Sequence, residues 1–309
     1  MTMWFIGAGP FAALCLENLT SENVRFDRII TSMPTRAGRG MKETISCVEE
    51  TALKLDLTVS RTNKLSQDEI ITNALLTSPP DGIVVVDFGQ KVKEPFLSTP
   101  KMGCLNIHPS LLPQYRGAAP IQRAVMDGQE ETGVTVFRLV EEMDAGPIWG
   151  QTKIVIDPNE TSGDLFKRLA KEGSNLLKVV VKSYNDGTNK TTLQNSELVS
   201  YALKIEKSET QLDWNTNAWY FHNKVRALNP QPGAFIHYKK RRLKIWKTTV
   251  HEEAGTPGEV LDFINGFPLI ALGKQAVLLL EVQPEGRRVQ SGADWSRGIH
   301  LKKGDNLRE

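Results

Sequence analysis

Asn106 and His108 stand two positions apart at the end of an apolar run. They open the densest cluster of special residues in the chain, Asn106-Ile107-His108-Pro109-Ser110-Leu111-Leu112-Pro113-Gln114-Tyr115-Arg116-Gly117. In a strand, residues i and i+2 face the same side, so both project together where the strand ends. The carboxyl ends of strands are where open α/β sheets place their ligands. Asn supplies an amide donor that never ionises. His supplies a nitrogen of pKa about 6.5, suited to proton transfer. The two prolines stiffen the loop that follows. Asp144 is the third candidate, in a Gly/Pro loop (Glu141-Glu142-Met143-Asp144-Ala145-Gly146-Pro147-Ile148) between two strand-like runs. An Asp there can orient a His or hold its proton. Read singly, each has a plainer role as well: an Asn that caps a turn, a His packed in a core, an Asp that satisfies its own backbone.

Other chemistry is poorly supported. The remaining histidines (His222, His237, His251, His300) have no metal-ligand spacing, so no metal is expected. The three cysteines (Cys15, Cys47, Cys104) form no C-x-x-C pair, which argues against a disulfide scaffold or a thiolate zinc site and for a reducing, cytoplasmic setting. The apolar N-terminus lacks the basic start of a signal peptide, and no run reaches the ~20 apolar residues of a membrane span. The 309 residues suggest two domains, and a composition 40% hydrophobic and 24% charged suits a globular protein. The net charge of +2 is uneven: residues 205–309 carry 16 Lys and Arg against 12 Asp and Glu. A mildly basic C-terminal part is compatible with nucleic acid without demanding it.

The elements that must position these residues follow from the pattern. Met3–Ile6, Asp27–Ser32, Ile83–Asp87 and Gly103–His108 read as strands. Phe11–Asn18, Ile45–Leu55 and a segment opened by Ser66 with Glu69 three residues on read as helices. Met33–Lys42 reads as a loop. The alternation predicts an α/β, Rossmann-like, doubly wound and mostly parallel sheet over residues 1–188. Lys153–Asp157 continues as a strand and Ser162–Ser183 as a long helix. A polar connection is expected over 189–208. In 209–309, a helix over Asn217–Leu228 precedes short, closely spaced strands, which predict a small β-barrel of OB-like kind.

The run NIHPSLLPQYRGAAPIQRA followed by EEMDAGPI resembles the folate-dependent formyltransferases. The HPSLLP segment and the D-x-G-P loop are shared across that superfamily. The extension Arg116–Ala124, Glu131-Thr132-Gly133-Val134-Thr135, Ser200–Ile205 with Asp213-Trp214, Asn229-Pro230 with Pro232, and Lys244-Ile245-Trp246-Lys247 are most similar to the methionyl-tRNA formyltransferases within it. The resemblance covers nearly the whole chain. It implies formyl transfer from 10-formyltetrahydrofolate to the α-amino group of methionyl initiator tRNA, with Asn106, His108 and Asp144 catalytic. It also implies a monomer with no membrane partner. The family's folate contact falls on Ser110, Leu111, Leu112 and Pro113, with Phe88 and Gly89 lining the same cleft. Arg36, Arg39 and Lys42 lie on a loop like the one the family wedges into the tRNA acceptor stem. Lys239, Lys240 and Arg241 form a second basic cluster, suited to phosphate attraction.

Some positions depart from the family pattern. Gly7-Ala8-Gly9-Pro10-Phe11-Ala12 replaces the usual G-T-P-x-F-A and also reads as a weak dinucleotide fingerprint, against which Pro10 speaks. Asp87 and Gln90 replace the usual residues after the fourth strand, and Gln114 stands where a basic residue is common. The competing readings are a sugar-nucleotide or other small-amine formyltransferase, a hydrolase releasing formate, an RNA-binding protein with a degenerate catalytic domain, and a nicotinamide dehydrogenase.

Overall fold

The computed structural model describes residues 1–37 and 41–308. Contacts divide the chain into two compact units that interleave along the sequence. The first holds 1–117, 132–154 and 166–201, and the second 118–131, 155–165 and 202–309. The division therefore runs differently from the expected order of 1–188, connection 189–208 and 209–309. The second unit draws in two earlier excursions, and the polar stretch after 188 supplies ordered contacts to each unit.

The first unit is built on seven strands: β1 (Met3–Gly7), β2 (Arg28–Ser32), β3 (Val59–Thr62), β4 (Gly82–Val86), β5 (Cys104–His108), β6 (Glu131–Arg138) and β7 (Ile148–Val155). Their order in the sheet is β7-β6-β5-β4-β1-β2-β3. The five strands from β3 to β5 are parallel, and β6 is antiparallel to β5. This is the doubly wound arrangement that the alternating pattern predicts. The chain leaves β1 toward one edge and returns on its other side, so the winding reverses between β1 and β4. β1 and β4 are buried along their full length, as central parallel strands are. Trp4, Ile6, Ile30, Ile83, Val85, Phe88 and Phe96 share one core cluster of this unit.

Helix starts show where the pattern succeeds and where it slips. α1 (Pro10–Ser21) opens with Pro at its first position, where a missing N–H is harmless. Its N-cap, Gly9, has no side chain to serve the free N–H groups. Asp87 does so instead: its carboxylate accepts from Phe11 N–H at 3.3 Å, and its carbonyl accepts from Ala8 and Gly9 N–H at 3.1 and 2.9 Å. A Cβ on Gly9 would lie within 2.6 Å of all three atoms of that carboxylate. The glycine of the apparent dinucleotide fingerprint thus makes room for an internal acid. α2 (Cys47–Lys54) is capped by Ser46, which accepts from Glu49 N–H. α3 (Glu69–Thr77) is opened by Asp68 rather than Ser66, which falls in a preceding 3-10 turn. The carboxylate of Asp68 accepts from Ile71 N–H at 3.1 Å, and a negative cap suits the positive end of a helix. The expected loop over Met33–Lys42 contains part of a small hairpin, Thr35–Ala37 against Lys42–Thr44.

In the second unit, α4 (Pro120–Met126) was not legible as a helix. It starts at Pro120 behind Ala119, which offers no capping side chain. α5 (Ser162–Asn185) begins in this unit and continues in the first. α6 (Ala218–Ala227) is capped by Asn217 through Tyr220 N–H at 2.7 Å. The strands are β8 (Ala234–Tyr238), β9 (Arg241–His251), β10 (Val260–Ile264), β11 (Phe267–Ala271), β12 (Ala276–Pro284) and β13 (Gln290–Ser291), followed by α7 (Gly292–Gly298). They form one antiparallel sheet in the order β8-β9-β12-β11-β10, with β13 on β12. Register shifts interrupt β9 and β10, as expected where short strands curl into a small, partly open β domain.

Candidate active site

The site is assembled at the carboxyl end of β5. The alternation of the strand puts Asn106 and His108 on one face, and the loop after β6 brings Asp144 to them. His108 is only 5% exposed. Its Nε2 lies 2.9 Å from the carbonyl of Tyr115. A carbonyl only accepts, so this contact fixes a proton on Nε2. Nδ1 then faces the Asp144 carboxylate, with Oδ2 at 3.8 Å. That is longer than a hydrogen bond, and a catalytic contact of this kind often tightens only with substrate in place. Asp144 Oδ2 also accepts from Gly117 N–H at 2.8 Å. Residues 115–117 therefore touch both groups: the carbonyl of Tyr115 holds His108, and the amide of Gly117 holds Asp144.

Asn106 differs from its neighbours. It is half-buried, and no group among the described residues hydrogen-bonds its side chain.

The residues expected to meet folate divide by role. Ser110 is fully buried, donates its hydroxyl to the carbonyl of Gln114 at 2.6 Å, and receives at its own carbonyl the hydroxyl of Thr135. Leu112 is also buried; its N–H donates to Thr135 Oγ1 and its carbonyl accepts from Gln151 Nε2. These two shape the turn. Leu111 and Pro113 keep accessible surface. Phe88 is buried in the core cluster, while Gly89 is exposed with open space beside it. The reachable apolar surface therefore comes from Leu111 and Pro113, with Gly89 leaving room at its own position. Gln90 is turned away to serve another loop, accepting from Leu65 N–H at 3.0 Å. Asp87 keeps accessible surface yet is ringed by protein atoms, and this partial desolvation raises its carboxyl above the ordinary value; the hydrogen bond from Phe11 N–H opposes the rise in part. Cys15 and Cys104 are buried thiols pushed up to about 12 by desolvation, which leaves both inert at neutral pH.

Sequence reasoning missed two positioning groups. Arg116 lies in the quoted motif but received no role. Its guanidinium is buried, pairs with Glu142 at 3.0 Å, and donates from Nε and Nη2 to Oε1 of Gln194. Gln194 in turn donates from Nε2 to the carbonyls of Asp144 and Gly146, both at 2.8 Å. Gln194 lies in the polar stretch expected to be a connection. Only its placement in space relates it to Asp144, so no spacing in the sequence reveals it. Ser200 adds two further ties to the same turn, accepting Tyr115 N–H at its hydroxyl and Arg116 N–H at its carbonyl, both at 2.9 Å.

The basic residues fall in both units. Arg36 is exposed on the small hairpin, opposite Glu43. Arg39 and the side chain of Lys42 lie outside the described residues. In the second unit, Lys239 and Lys240 form the two-residue turn between β8 and β9, both with positive φ (48° and 62°), as a type I′ hairpin turn requires. They and Arg241 are exposed. Arg242 accepts the Glu285 N–H at its carbonyl and donates its own N–H to the Glu285 carboxylate, which ties it to the turn that carries the exposed Arg287 and Arg288. Cations stack on rings here: Lys239 lies over Tyr238 at 5.1 Å, Arg242 over Phe235 at 4.7 Å and Lys244 over Trp246 at 5.0 Å. Among the described residues, no group of three or more His, Cys, Asp and Glu is placed to hold a metal, and no helix is long and apolar enough to cross a membrane.

Comparison with known proteins places the whole chain in one family. Residues 1–181 match the formyl transferase family model and residues 204–300 the model of the formyl transferase C-terminal domain. The methionyl-tRNA formyltransferase of Protochlamydia amoebophila is 37% identical, over 97% of this chain and 95% of that protein. That of Chelativorans sp. is 38% identical, over 98% of each. Among solved structures, the N-formyltransferase of Helicobacter canadensis, in complex with folinic acid and dTDP-3-aminofucose, superposes with a TM-score of 0.66 at 19% identity, over 91% of this chain and 98% of that one. Matched along almost its full length by such relatives, the chain belongs to the formyltransferase family, in its methionyl-tRNA formyltransferase branch.

Proposed function

We propose that this protein transfers the formyl group of 10-formyltetrahydrofolate to the α-amino group of methionyl initiator tRNA, at translation initiation. One observation carries the site assignment: the unengaged amide of Asn106 stands beside a histidine whose tautomer is fixed and whose second nitrogen faces a carboxylate. Attack of an amine on a formyl carbon puts negative charge on the formyl oxygen. The Asn106 amide is the donor for that charge, and preorganised donors of this kind contribute about 3–4 kcal/mol each. Protonated, His108 gives one N–H to the Tyr115 carbonyl and turns the other toward Asp144, so it supports that charge by its positive field and not by a third hydrogen bond. The attacking group is the neutral amine, which must lose one proton as its bond to the formyl carbon forms, and the folate nitrogen that leaves must gain one. Asp144, directly or through a water, takes and returns that proton, and it fixes the His108 ring through Nδ1.

The donor set suits the folate. Leu111 and Pro113 offer apolar surface to a flat ring, and the positive φ of Gly89 (75°), with no neighbour where a Cβ would stand, leaves room at that edge. Ser110, Leu112 and Phe88 hold this surface in shape from behind. For the RNA, Arg36, Arg39 and Lys42 are assigned to the acceptor end. Lys239, Lys240 and Arg241, joined by Arg287 and Arg288, are assigned to its phosphates. The enzyme works as a cytoplasmic monomer.

The test is formyl transfer from 10-formyltetrahydrofolate to purified methionyl initiator tRNA, with formate release followed in a control lacking RNA. Formyl-methionyl-tRNA is the expected product. Folate turnover with a sugar nucleotide or with water, and none with the RNA, would discard the acceptor and keep the chemistry.

A further inference from the structure

Asp144 holds a backbone conformation that L-residues rarely adopt, with φ of 52°. Such a residue costs about 1–2 kcal/mol and persists only where its surroundings over-determine it. The side chain of Asp144 is held by Gly117 N–H, but that contact does not fix the backbone of the loop. The loop backbone has an internal hydrogen bond, from Ala145 N–H to the Glu142 carbonyl at 3.4 Å, and its carbonyls at Asp144 and Gly146 are both held by a single amide group. Gln194 uses both Nε2 hydrogens on the carbonyls of Asp144 and Gly146 and receives two guanidinium N–H groups of Arg116 at Oε1. Every hydrogen-bonding site of the amide in its plane is engaged. Its orientation is also determined: turned over, its oxygen would face two carbonyls and its NH2 a cation. Gly146 leaves the loop no slack, because a Cβ there would strike the carbonyl of Arg138.

We propose that Gln194 is a positioning residue of the formyl transfer: by holding the backbone on either side of Ala145 it sets the carboxylate of Asp144 against His108. Arg116 orients the amide that does so. This rests on the assignment of Asp144 to catalysis made above. The segment around Gln194 is thereby part of the catalytic apparatus rather than a tether between two working parts.

Two variants separate positioning from simple attachment. Gln194→Leu removes all four contacts at similar volume. Gln194→Glu keeps, and by charge strengthens, the contact with Arg116, but aims an oxygen at the two carbonyls that the amide held. Steady-state formyl transfer, measured with thermal unfolding of both variants, is the readout. Both variants are expected to lose about 30- to 100-fold in kcat, the range of a small misplacement of a reacting group. KM for the formyl donor should stay within about threefold, since its contact surface is untouched. The Glu variant should unfold at the wild-type temperature. A Gln194→Glu variant with near-normal kcat would overturn the proposal, because attachment to Arg116 alone would then suffice. So would a loss in Gln194→Leu that only follows the fraction unfolded. Asp144→Asn is measured in parallel. If it keeps full kcat, the reading of the site itself fails. If Asp144→Asn is inactive while both Gln194 variants turn over normally, only the positioning role fails.

Discussion

Tyr115 and Asp144 in the first unit, and Lys239 and Lys240 in the second, all hold positive φ without being glycine. The first pair is locked from several sides. Tyr115 gives its carbonyl to His108 and its N–H to Ser200, and Asp144 is held through its carboxylate, its carbonyl and the neighbouring Gly146. The second pair stands exposed at the tip of a hairpin, supported by the ladder from Tyr238–Arg241 to Ala234–Ile245. Equal backbone strain therefore serves two ends. Around β5 it fixes the distance between His108 and Asp144, where, on the proposed chemistry, an error of an ångström is expensive in rate. At the hairpin tip it presents two exposed lysines, the first with its ammonium over the Tyr238 ring, where charge acts over a Debye length of about 8–10 Å and geometry matters little.

The locked region should respond steeply and selectively. Asn106→Ala removes the proposed oxyanion donor, whose side chain hydrogen-bonds to none of the described residues, so the fold loses no hydrogen bond. Formyl transfer is expected to fall about 100- to 1,000-fold in kcat, with thermal unfolding unchanged. Single-turnover transfer with saturating RNA and donor measures it. A loss below about fivefold would remove Asn106 from the oxyanion, and with it the contrast between a precise region and a permissive one.

The exposed region should respond gently and in two opposite directions. Changing Lys239→Asn with Lys240→Gly installs the residues that a type I′ turn favours and removes two cations. Relief of two left-handed residues should stabilise the protein by about 1 kcal/mol, raising its unfolding temperature by about 2–4 °C. The affinity for methionyl-tRNA should weaken, and the slope of log affinity against log salt should become shallower by about 1.5–2 if both lysines meet phosphates. Turnover at saturating RNA should be unchanged. A rise in stability with an unaltered salt slope would leave the hairpin as strained surface with no RNA role.

The molecule was legible in its sequence to different depths, for physical reasons. The doubly wound sheet follows from apolar runs of period fitting buried parallel strands, and the pairing of Asn106 with His108 follows from the two-residue repeat of β5. Both are local properties. The start of α3 was misplaced by two residues because Ser66 and Asp68 are both competent caps, and only the folded chain chooses the charged one. α4 was missed because it is short and Ala119 offers no capping side chain, although Pro120 stands at the first helical position as Pro10 does in α1. Gln194 was invisible because its partners lie 50 and 78 residues away and a lone glutamine in a polar stretch has no periodicity to betray it. Arg116 and Arg123 belong to one quoted motif yet serve separate units: Arg116 joins the Asp144 loop, while Arg123 on α4 pairs with Glu209 and caps the carbonyls of Leu203 and Lys204. A motif read along the chain does not say where its halves go.

Asp87 is an intermediate case and offers the smallest effect. It also holds positive φ (41°), at the carboxyl end of β4, exposed as a residue yet with its carboxylate against the first turn of α1. Desolvation raises the pKa of its carboxyl above the ordinary value, so the native state holds the proton more tightly than the unfolded chain does. The ionised form is therefore a burden on the fold at neutral pH, relieved as the pH falls through the native value. Asp87→Asn keeps an oxygen to accept from Phe11 N–H and removes the ionisation. It should unfold at a slightly higher temperature than the wild type at pH 7–8, and the advantage should shrink as the pH falls toward and below the ordinary carboxylate range of about 4. Thermal unfolding of both proteins across that range measures the difference. An advantage that does not change with pH would come from something other than the charge. A deficit at neutral pH would mean that the ionised carboxylate, through its hold on the first turn of α1, stabilises more than its desolvation costs, which would place Asp87 with the locked residues of the catalytic face instead of between the two regions.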